Sequence, residues 1–465
     1  MSLWQRCRHW IKHTVGVDRA IFYTVLARGW GSLAGLLTIA LIAHYLTPAE
    51  QGYYYTFGSL VALQIVFELG FSFVILQMAS HEVAHLSISS NEEISGTREA
   101  HGRLASVLKL TVKWYSIASM LMVLALIPSG IYFFSTQQKG ANNVNWLGPW
   151  CLDVVAASMT FLLDPILSFM EGCGYVSEIS RLRLMQSVTG SVVAWTVLIA
   201  NEGLYAPAMI MIGTVVATII WLYGKRKIIF ELLKHDTGEN RVSWSREVWP
   251  FQWKIAISWL CGYFIFQLFN PVLFAFQGPA AAGQMGMSLT IASAMQAVAI
   301  SWINTKRAPF GTLIALKEYR KLDNIFFKTL RQSMTVCVFG GVAICSGVIV
   351  ANHFHHPFAR RLLEPLPFSL LLFATTINVA VGSMALYLRA HKEEKFLWQS
   401  IINGVLIGLS TYFMGRYYGA TAVVAGYLLI GIVFGLGLGI FIFQKYRRLW
   451  HEPQETAFDN CDSNI

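Results

Sequence analysis

Long apolar runs separated by short polar or basic segments recur along the whole chain. Two of them flank a tight turn within residues 20–80: RAIFYTVLARGWGSLAGLLTIALIAHY, then LTPAEQG, then YYYTFGSLVALQIVFELGFSFVILQMAS. Each is long enough to cross a bilayer, which takes about 20 apolar residues in a helix. A second hairpin of the same plan begins at Phe251: FQWKIAISWLCGYFIFQLFNPVLFAF, QGPAAAG, QMGMSLTIASAMQAVAISWI. Pro48-Ala49-x-x-Gly52 in the first turn is matched by Pro279-Ala280-x-x-Gly283 in the second, and the motif occurs nowhere else in the chain. Such a repeat predicts two related halves with function lying between them. The pattern reads as twelve spans, at 20–45, 53–78, 104–134, 148–171, 183–200, 205–224, 251–276, 284–305, 326–351, 366–389, 396–415 and 419–444. The third and ninth are long, so they are expected to tilt or to extend past the membrane. The fold class is therefore an all-α polytopic membrane protein with about twelve transmembrane helices in two pseudo-symmetric six-helix lobes. The expected organisation is a basic amphipathic N-terminus at 1–19, an N-lobe at 20–224, a linker at 225–249, a C-lobe at 250–445 and a tail at 446–465.

Composition agrees. Apolar residues make up 55% of the chain and charged residues only 13%, more apolar surface than a soluble domain could bury. The net charge of +10 is explained by topology rather than by nucleic acid. With both termini in the cytoplasm, only Lys139, Arg360, Arg361 and Arg416 of the 35 Lys and Arg fall in outer loops. Nucleic-acid binding is excluded because no basic domain stands outside the membrane. Residues 1–19 carry Arg6, Arg8, Lys12 and Arg19 interleaved with Trp4 and Trp10, as an interfacial helix would, and lack the cleavage site of a signal peptide. The basic stretch Lys225–Arg246 contains KRKIIFELLKHD, amphipathic and suited to the membrane surface. The tail begins KYRR and turns polar, as a cytoplasmic segment would.

Enzyme chemistry is missing. There is no phosphate-cradling GxxxxGK[ST] and no GxSxG nucleophile motif. The longest outer loops, near 135–147 and 352–365, hold no pair of carboxylates. The seven cysteines lack metal-ligand spacing and read as structural thiols. The His353, His355 and His356 cluster has no carboxylate or Cys close by, so an interfacial loop explains it better than a metal site. No enzyme activity, cofactor or metal is expected.

The informative residues are charges inside the membrane, each costing a few kcal/mol or more unless it faces a cavity or partner. Arg28 lies two turns into the first span, roughly 12 Å deep at 1.5 Å per residue. Glu68 lies at similar depth on the second, and Asp164, before Pro165, in the inner half of the fourth. Lys254 begins the seventh, and Lys306 and Arg307 close the eighth. Asp153 is near the outer end of the fourth. Two readings follow. In one, Arg28 pairs with Glu68, Asp164 caps or pairs locally, and the other cations snorkel to headgroups. In the other, Arg28, Lys254, Lys306 and Arg307 line an inward-facing cavity and attract an anion. A diphosphate suits Arg and Lys well, with Glu68 and Asp164 tuning the cations or carrying a coupling ion. Asn270-Pro271 and Asp164-Pro165 are places for a bend. Gly31 and Gly35, and Gly431, Gly435 and Gly439, have the spacing of close helix packing. Trp30, Trp195, Trp259 and Trp302 suit either lipid-facing anchorage or stacking on sugars.

The segments AHYLTPAEQGYYYTFGSLVALQIVFELGFSFVILQMASHE and WPFQWKIAISWLCGYFIFQLFNPVLFAFQGPAAAGQMGMSL, the latter followed by SWINTKRAPFG, resemble Wzx-type O-antigen flippases. These belong to the multidrug/oligosaccharidyl-lipid/polysaccharide (MOP) exporter superfamily. The resemblance covers 20–82 and 249–312. It implies two six-helix lobes in a V, alternating access, and an undecaprenyl-diphosphate-linked oligosaccharide as cargo for lipopolysaccharide or another surface polysaccharide. It also implies a multi-pass protein of the bacterial inner membrane, with lipid, a glycan polymerase and chain-length proteins as partners. The coupling ion expected at Glu68 and Asp164 is H+ or Na+. Arg28 and Lys254 match the family's pattern of cations on the first and seventh helices. The alternatives are a MATE-type drug or cation exporter, a peptidoglycan-precursor flippase and, from another class, a membrane glycan polymerase or ligase.

Overall fold

The computed structural model describes residues 19–88, 94–137, 144–235, 242–244, 249–391 and 393–451. The basic N-terminus, except Arg19, and the tail after His451 lie outside the described residues. In chain order the elements are α1 (Arg19–Tyr45), α2 (Pro48–Val61), a 3-10 turn (Ala62–Gln64), α3 (Ile65–Glu68), α4 (Phe71–Val83), β1 (Leu86–Ile88) and β2 (Ile94–Gly96). Next come α5 (Arg98–Gln137), α6 (Leu147–Gly172), α7 (Val176–Ile199), α8 (Ala206–Gly224), α9 (Arg226–Lys234), α10 (Trp249–Phe266) and α11 (Phe269–Gln277). The remainder are α12 (Pro279–Asn304), α13 (Arg307–Ala315), α14 (Tyr319–His353), α15 (Pro365–Ala390), α16 (Leu397–Tyr417), α17 (Ala420–Ile430), a π turn (Gly431–Gly437) and α18 (Leu438–His451).

Ten of these helical segments are long and apolar enough to cross a membrane, and eleven if the bent pair Pro48–Glu68 and Phe71–Val83 is one span. They coincide with eleven of the expected spans. The remaining expected span is α16, 21 residues long, whose Gln399, Asn403 and Thr411 make it less apolar than the rest. The protein is an all-α multi-pass membrane protein. The sole strands among the described residues, β1 and β2, pair antiparallel with Leu86 opposite Gly96. The sequence pattern gave no sign of them, because three-residue strands are too short for an alternation to register.

Residue contacts divide the chain into two compact units, 1–287 and 288–465, so α10, α11 and the start of α12 belong to the first. In that unit α1 leans on α7. Trp30 Nε1 donates to Ser187 O (3.3 Å) and Ser191 Oγ (3.4 Å), and Trp195 Nε1 donates to Thr38 Oγ1 (2.9 Å). These two indoles therefore fasten helices together. Phe22, Val25, Leu26, Leu33, Leu36 and Leu37 are exposed along one side of α1, the row that lipid would cover. Gly31 and Gly35 do not sit at a helix contact, since a methyl group added at either would meet nothing within 4 Å.

The turn before α2 is a capping box: Glu50 N donates to Thr47 Oγ1 (3.2 Å) and Thr47 N donates to Glu50 Oε2 (2.8 Å), with Pro48 opening the helix. That helix crosses the start of α12 at the two copies of the repeated motif. Gln51 Nε2 donates to Gly283 O at 2.8 Å. A methyl at Gly283 would lie 2.9 Å from Gly52 N and 3.2 Å from Pro48 O, and one at Gly52 would collide with the Pro279 carbonyl. One turn and more along, Asn270 Nδ2 donates to Ser59 Oγ (3.0 Å), beside the break between α10 and α11. Beneath the crossing, Tyr53, Phe57, Phe134, Trp150 and Phe274 form a buried aromatic cluster, with ring centroids 4.8 Å apart for Tyr53–Phe274 and 5.4 Å for Phe57–Trp150. The helix is interrupted at Gln267–Leu268, just before Asn270-Pro271, whereas α6 runs unbroken through Pro165.

In the second unit Phe310, Phe326, Tyr387 and Phe443 form the buried core, with Ile303 and Leu322. Beside it, Asp323 accepts hydrogen bonds from Tyr387 Oη (2.8 Å) and Arg447 Nε (2.9 Å). The glycine crossing predicts a sharp contrast. Gly283→Ala overpacks the contact and should cost about 1–3 kcal/mol. Gly31→Ala enters open space and should gain up to about 1 kcal/mol of helix propensity. Thermal unfolding of the detergent-purified variants should show the first well below and the second at or above the wild type.

Candidate functional site

The second apolar run does not form one helix. It stops at Glu68 and restarts at Phe71, bending by 47°. Both intervening residues are left-handed: Leu69 at φ 50°, ψ 26° and Gly70 at φ 70°, ψ 16°. Glycine takes this conformation freely, whereas leucine pays for it, at about 1–2 kcal/mol. Discontinuous helices are a recurring means of presenting polar groups inside a membrane.

Polar side chains gather at this break. Ser72, in the first turn of α4, has its Oγ 3.0 Å from Tyr115 Oη of α5, and both stand near the Glu68 carboxylate. Asp164 of α6 stands near enough for the two carboxylates to sense each other's charge. Arg183 of α7 is also near enough for Asp164 to sense its charge, while its Nη2 donates to Glu171 Oε2 at 2.9 Å. Tyr115 is held flat against Phe71, ring centroids 6.0 Å apart, and against Phe161 at 5.0 Å. Asp164 is exposed and Glu68 half-buried. Two carboxylates, a phenol and a hydroxyl can hold a proton or a small cation.

Arg28 is not part of this cluster, and it does not pair with Glu68. It is exposed, and its guanidinium makes no hydrogen bond or ion pair among the described residues. At 3.6 residues per turn it lies roughly 120° around α1 from the middle of the lipid-facing row. It shares that third face with Thr24, Gly31, Ser32 and Gly35. Thr24 and Ser32 satisfy their hydroxyls on the helix's own carbonyls, at 2.8 Å and 3.0 Å, which leaves Arg28 as the unsatisfied group of a small and polar stripe.

Lys254 lies on α10, with its side chain outside the described residues. In the second unit Lys306 is half-buried at the head of α13 and Arg307 is exposed. Ile303 before them and Phe310 after them are anchored in the core. Trp259 and Trp302 are partly exposed. Asp153 is fully buried, with both carboxylate oxygens unpartnered among the described residues. No group of three metal-ligating side chains occurs among the described residues, and the His353–His356 loop is exposed. Sequence reasoning missed the break and Arg183; Gly70, two residues after a membrane-embedded acid, was the available signal.

No family model and no curated protein matches this chain. Solved structures do. An inward-facing multidrug resistance MATE family transporter of the MOP superfamily matches with a TM-score of 0.62 at 13% identity, over 91% of this chain and 99% of that chain. A MOP superfamily transporter from Pyrococcus furiosus, described as having a binding pocket of reversed polarity, matches with 0.56 at 13%, over 93% and 95%. The lipid II flippase MurJ, in an inward closed conformation, matches with 0.56 at 11%, over 92% and 87%. The chain has the MOP transporter fold. At such identities the likeness is one of backbone alone. Within this MOP fold the break predicts opposite effects at adjacent positions. Leu69→Gly relieves the left-handed leucine and should hold or raise stability, whereas Gly70→Ala should lower it by about 1–2 kcal/mol. Melting temperatures of the two purified variants check this, and equal effects would argue against the left-handed pair.

Proposed function

We propose that the protein is a transporter that flips undecaprenyl-diphosphate-linked oligosaccharide repeat units across the bacterial inner membrane by alternating access, for O-antigen or another surface polysaccharide. The observation that carries the reading is Arg28, an unpaired cation inside an apolar span, turned away from the lipid-facing row. An unpaired guanidinium there is costly unless an anion visits it, and its planar fork fits a diphosphate. The reading is supported by the repeated hairpin motif and by the MOP fold, which a lipid II flippase shares.

In this reading Arg28 captures the diphosphate, Lys254, Lys306 and Arg307 assist, and the polyprenyl chain stays in lipid. Glu68 and Asp164 carry H+ or Na+ as the coupling ion, with the bonded Ser72 and Tyr115 hydroxyls near the first carboxylate. No bond is made or broken, so the protein is not an enzyme. Both termini are cytoplasmic, and the glycan polymerase and chain-length proteins act downstream.

The Glu68–Asp164 pair also favours a second reading, a MATE-type exporter in which those carboxylates bind a cationic cargo. The two readings differ at Arg28. For the flippase, Arg28→Ala should cut surface-glycan export at least tenfold at normal expression, and Arg28→Lys should retain part of it. For a cation exporter, removing Arg28 should leave drug resistance intact while Glu68→Gln abolishes it. Full glycan export by Arg28→Ala would refute the central assignment.

A further inference from the structure

The last apolar run contains a π turn, Gly431–Gly437, between α17 and α18. A single π turn accommodates the equivalent of one extra residue and weakens the local carbonyl pairing. Gln399 of α16 supplies the missing donor. Its Nε2 donates to Gly435 O and also reaches Phe434 O at 3.4 Å. Glycines make the approach feasible: a methyl at Gly439 would lie 2.9 Å from that nitrogen. Gln399 is 2% exposed, so its Nε2 is shielded from water and donates its hydrogens to these carbonyls.

The run is anchored on both sides of the π turn. Before it, Tyr427 Oη accepts from Asn378 Nδ2 at 2.6 Å. After it, Arg447 Nη2 lies 2.8 Å and His451 Nδ1 3.4 Å from Asp323 Oδ2, and His451 Nε2 lies 3.0 Å from Tyr387 Oη. Between those anchors Phe443 packs on Phe326 and Tyr387, at 5.3 Å and 5.1 Å. If the π turn relaxed to an α-helix, α18 would rotate by about 100° relative to α17. Arg447 and His451 would leave Asp323, and Phe443 would leave the core. That same core holds Ile303 and Phe310, which flank Lys306 and Arg307.

We propose that Gln399 is a positioning residue. Its amide holds the π turn, the π turn sets the register of α18, and that register seats Lys306 and Arg307. The register claim stands on geometry alone, whereas its consequence for transport rests on the function proposed above.

The test is maleimide labelling of single cysteines placed along 446–451 in a cysteine-free background, with glycan export measured in parallel. In the parent, cysteines at the exposed Arg448 and Leu449 should label, and one at Trp450 should label several-fold more slowly. Gln399→Leu should slide this pattern by one position and lower export severalfold. Deleting Ile432, an exposed residue of the π turn, should convert the turn to α-helix with both anchors in register. Gln399→Leu combined with that deletion should then recover the parental pattern and export. The deletion alone should fold and label normally, which guards against a Gln399→Leu variant that fails to fold. An unchanged pattern in Gln399→Leu, or failure of the deletion to rescue it, overturns the register claim. A slid pattern with undiminished export overturns the link to Lys306 and Arg307. Labelling requires no cargo, so it stays informative even if the glycan assignment fails.

Discussion

The first unit depends on the contact between Gly52 and Gly283. Two helices that both begin with Pro-Ala cross in their first turns, where only a hydrogen side chain fits, and Gln51 ties the crossing by bonding the Gly283 carbonyl. This close approach fixes α2, whose far end must then break before it can continue, and it brings α11 onto the aromatic cluster around Phe134 and Trp150. Without such an approach the polar seam Ser59–Asn270 would be held apart and its buried amide left without its donor contact. Backbone proximity, bought with glycine, is thus the condition under which the other helices find their places.

The second constraint is electrostatic. A membrane interior tolerates charge only where a partner, water or a ligand meets it. Glu68 and Asp164 lie near the Ser72–Tyr115 hydroxyl pair, while Arg183 close to Asp164 is paired with Glu171. Arg28 is not, and it occupies a face of α1 distinct from both the lipid-facing row and the tryptophan-fastened contact with α7. One unit therefore contains both an acidic cluster and, on another helix, a cation without a partner among the described residues.

Much of this was legible in the chain. Span positions followed from apolar run length, and the matched Pro-Ala-x-x-Gly turns pointed to residues that the fold brings into contact, although their role as a crossing point is a long-range fact that spacing alone does not carry. The membrane-embedded charges were visible too, but not the nearness of Glu68 to Asp164, because it spans helices nearly a hundred positions apart. The left-handed pair at Leu69–Gly70 was hidden inside a uniformly apolar run, where hydropathy is blind to backbone dihedrals. The π turn escaped for the same reason: its glycines read as packing spacing, and one of its satisfying groups, Gln399, lies on another helix. Gly31 and Gly35 show the converse, since the same spacing there borders open space.

The most direct test of the account is the fate of lipid-linked glycan when the gene is deleted. Membranes from such a strain would be analysed by mass for undecaprenyl-diphosphate-linked intermediates, with leaflet location assigned by an impermeant probe. The account predicts complete repeat units retained on the inner leaflet. Repeat units that reach the outer leaflet and remain unpolymerised would contradict it and make the protein a polymerase or ligase.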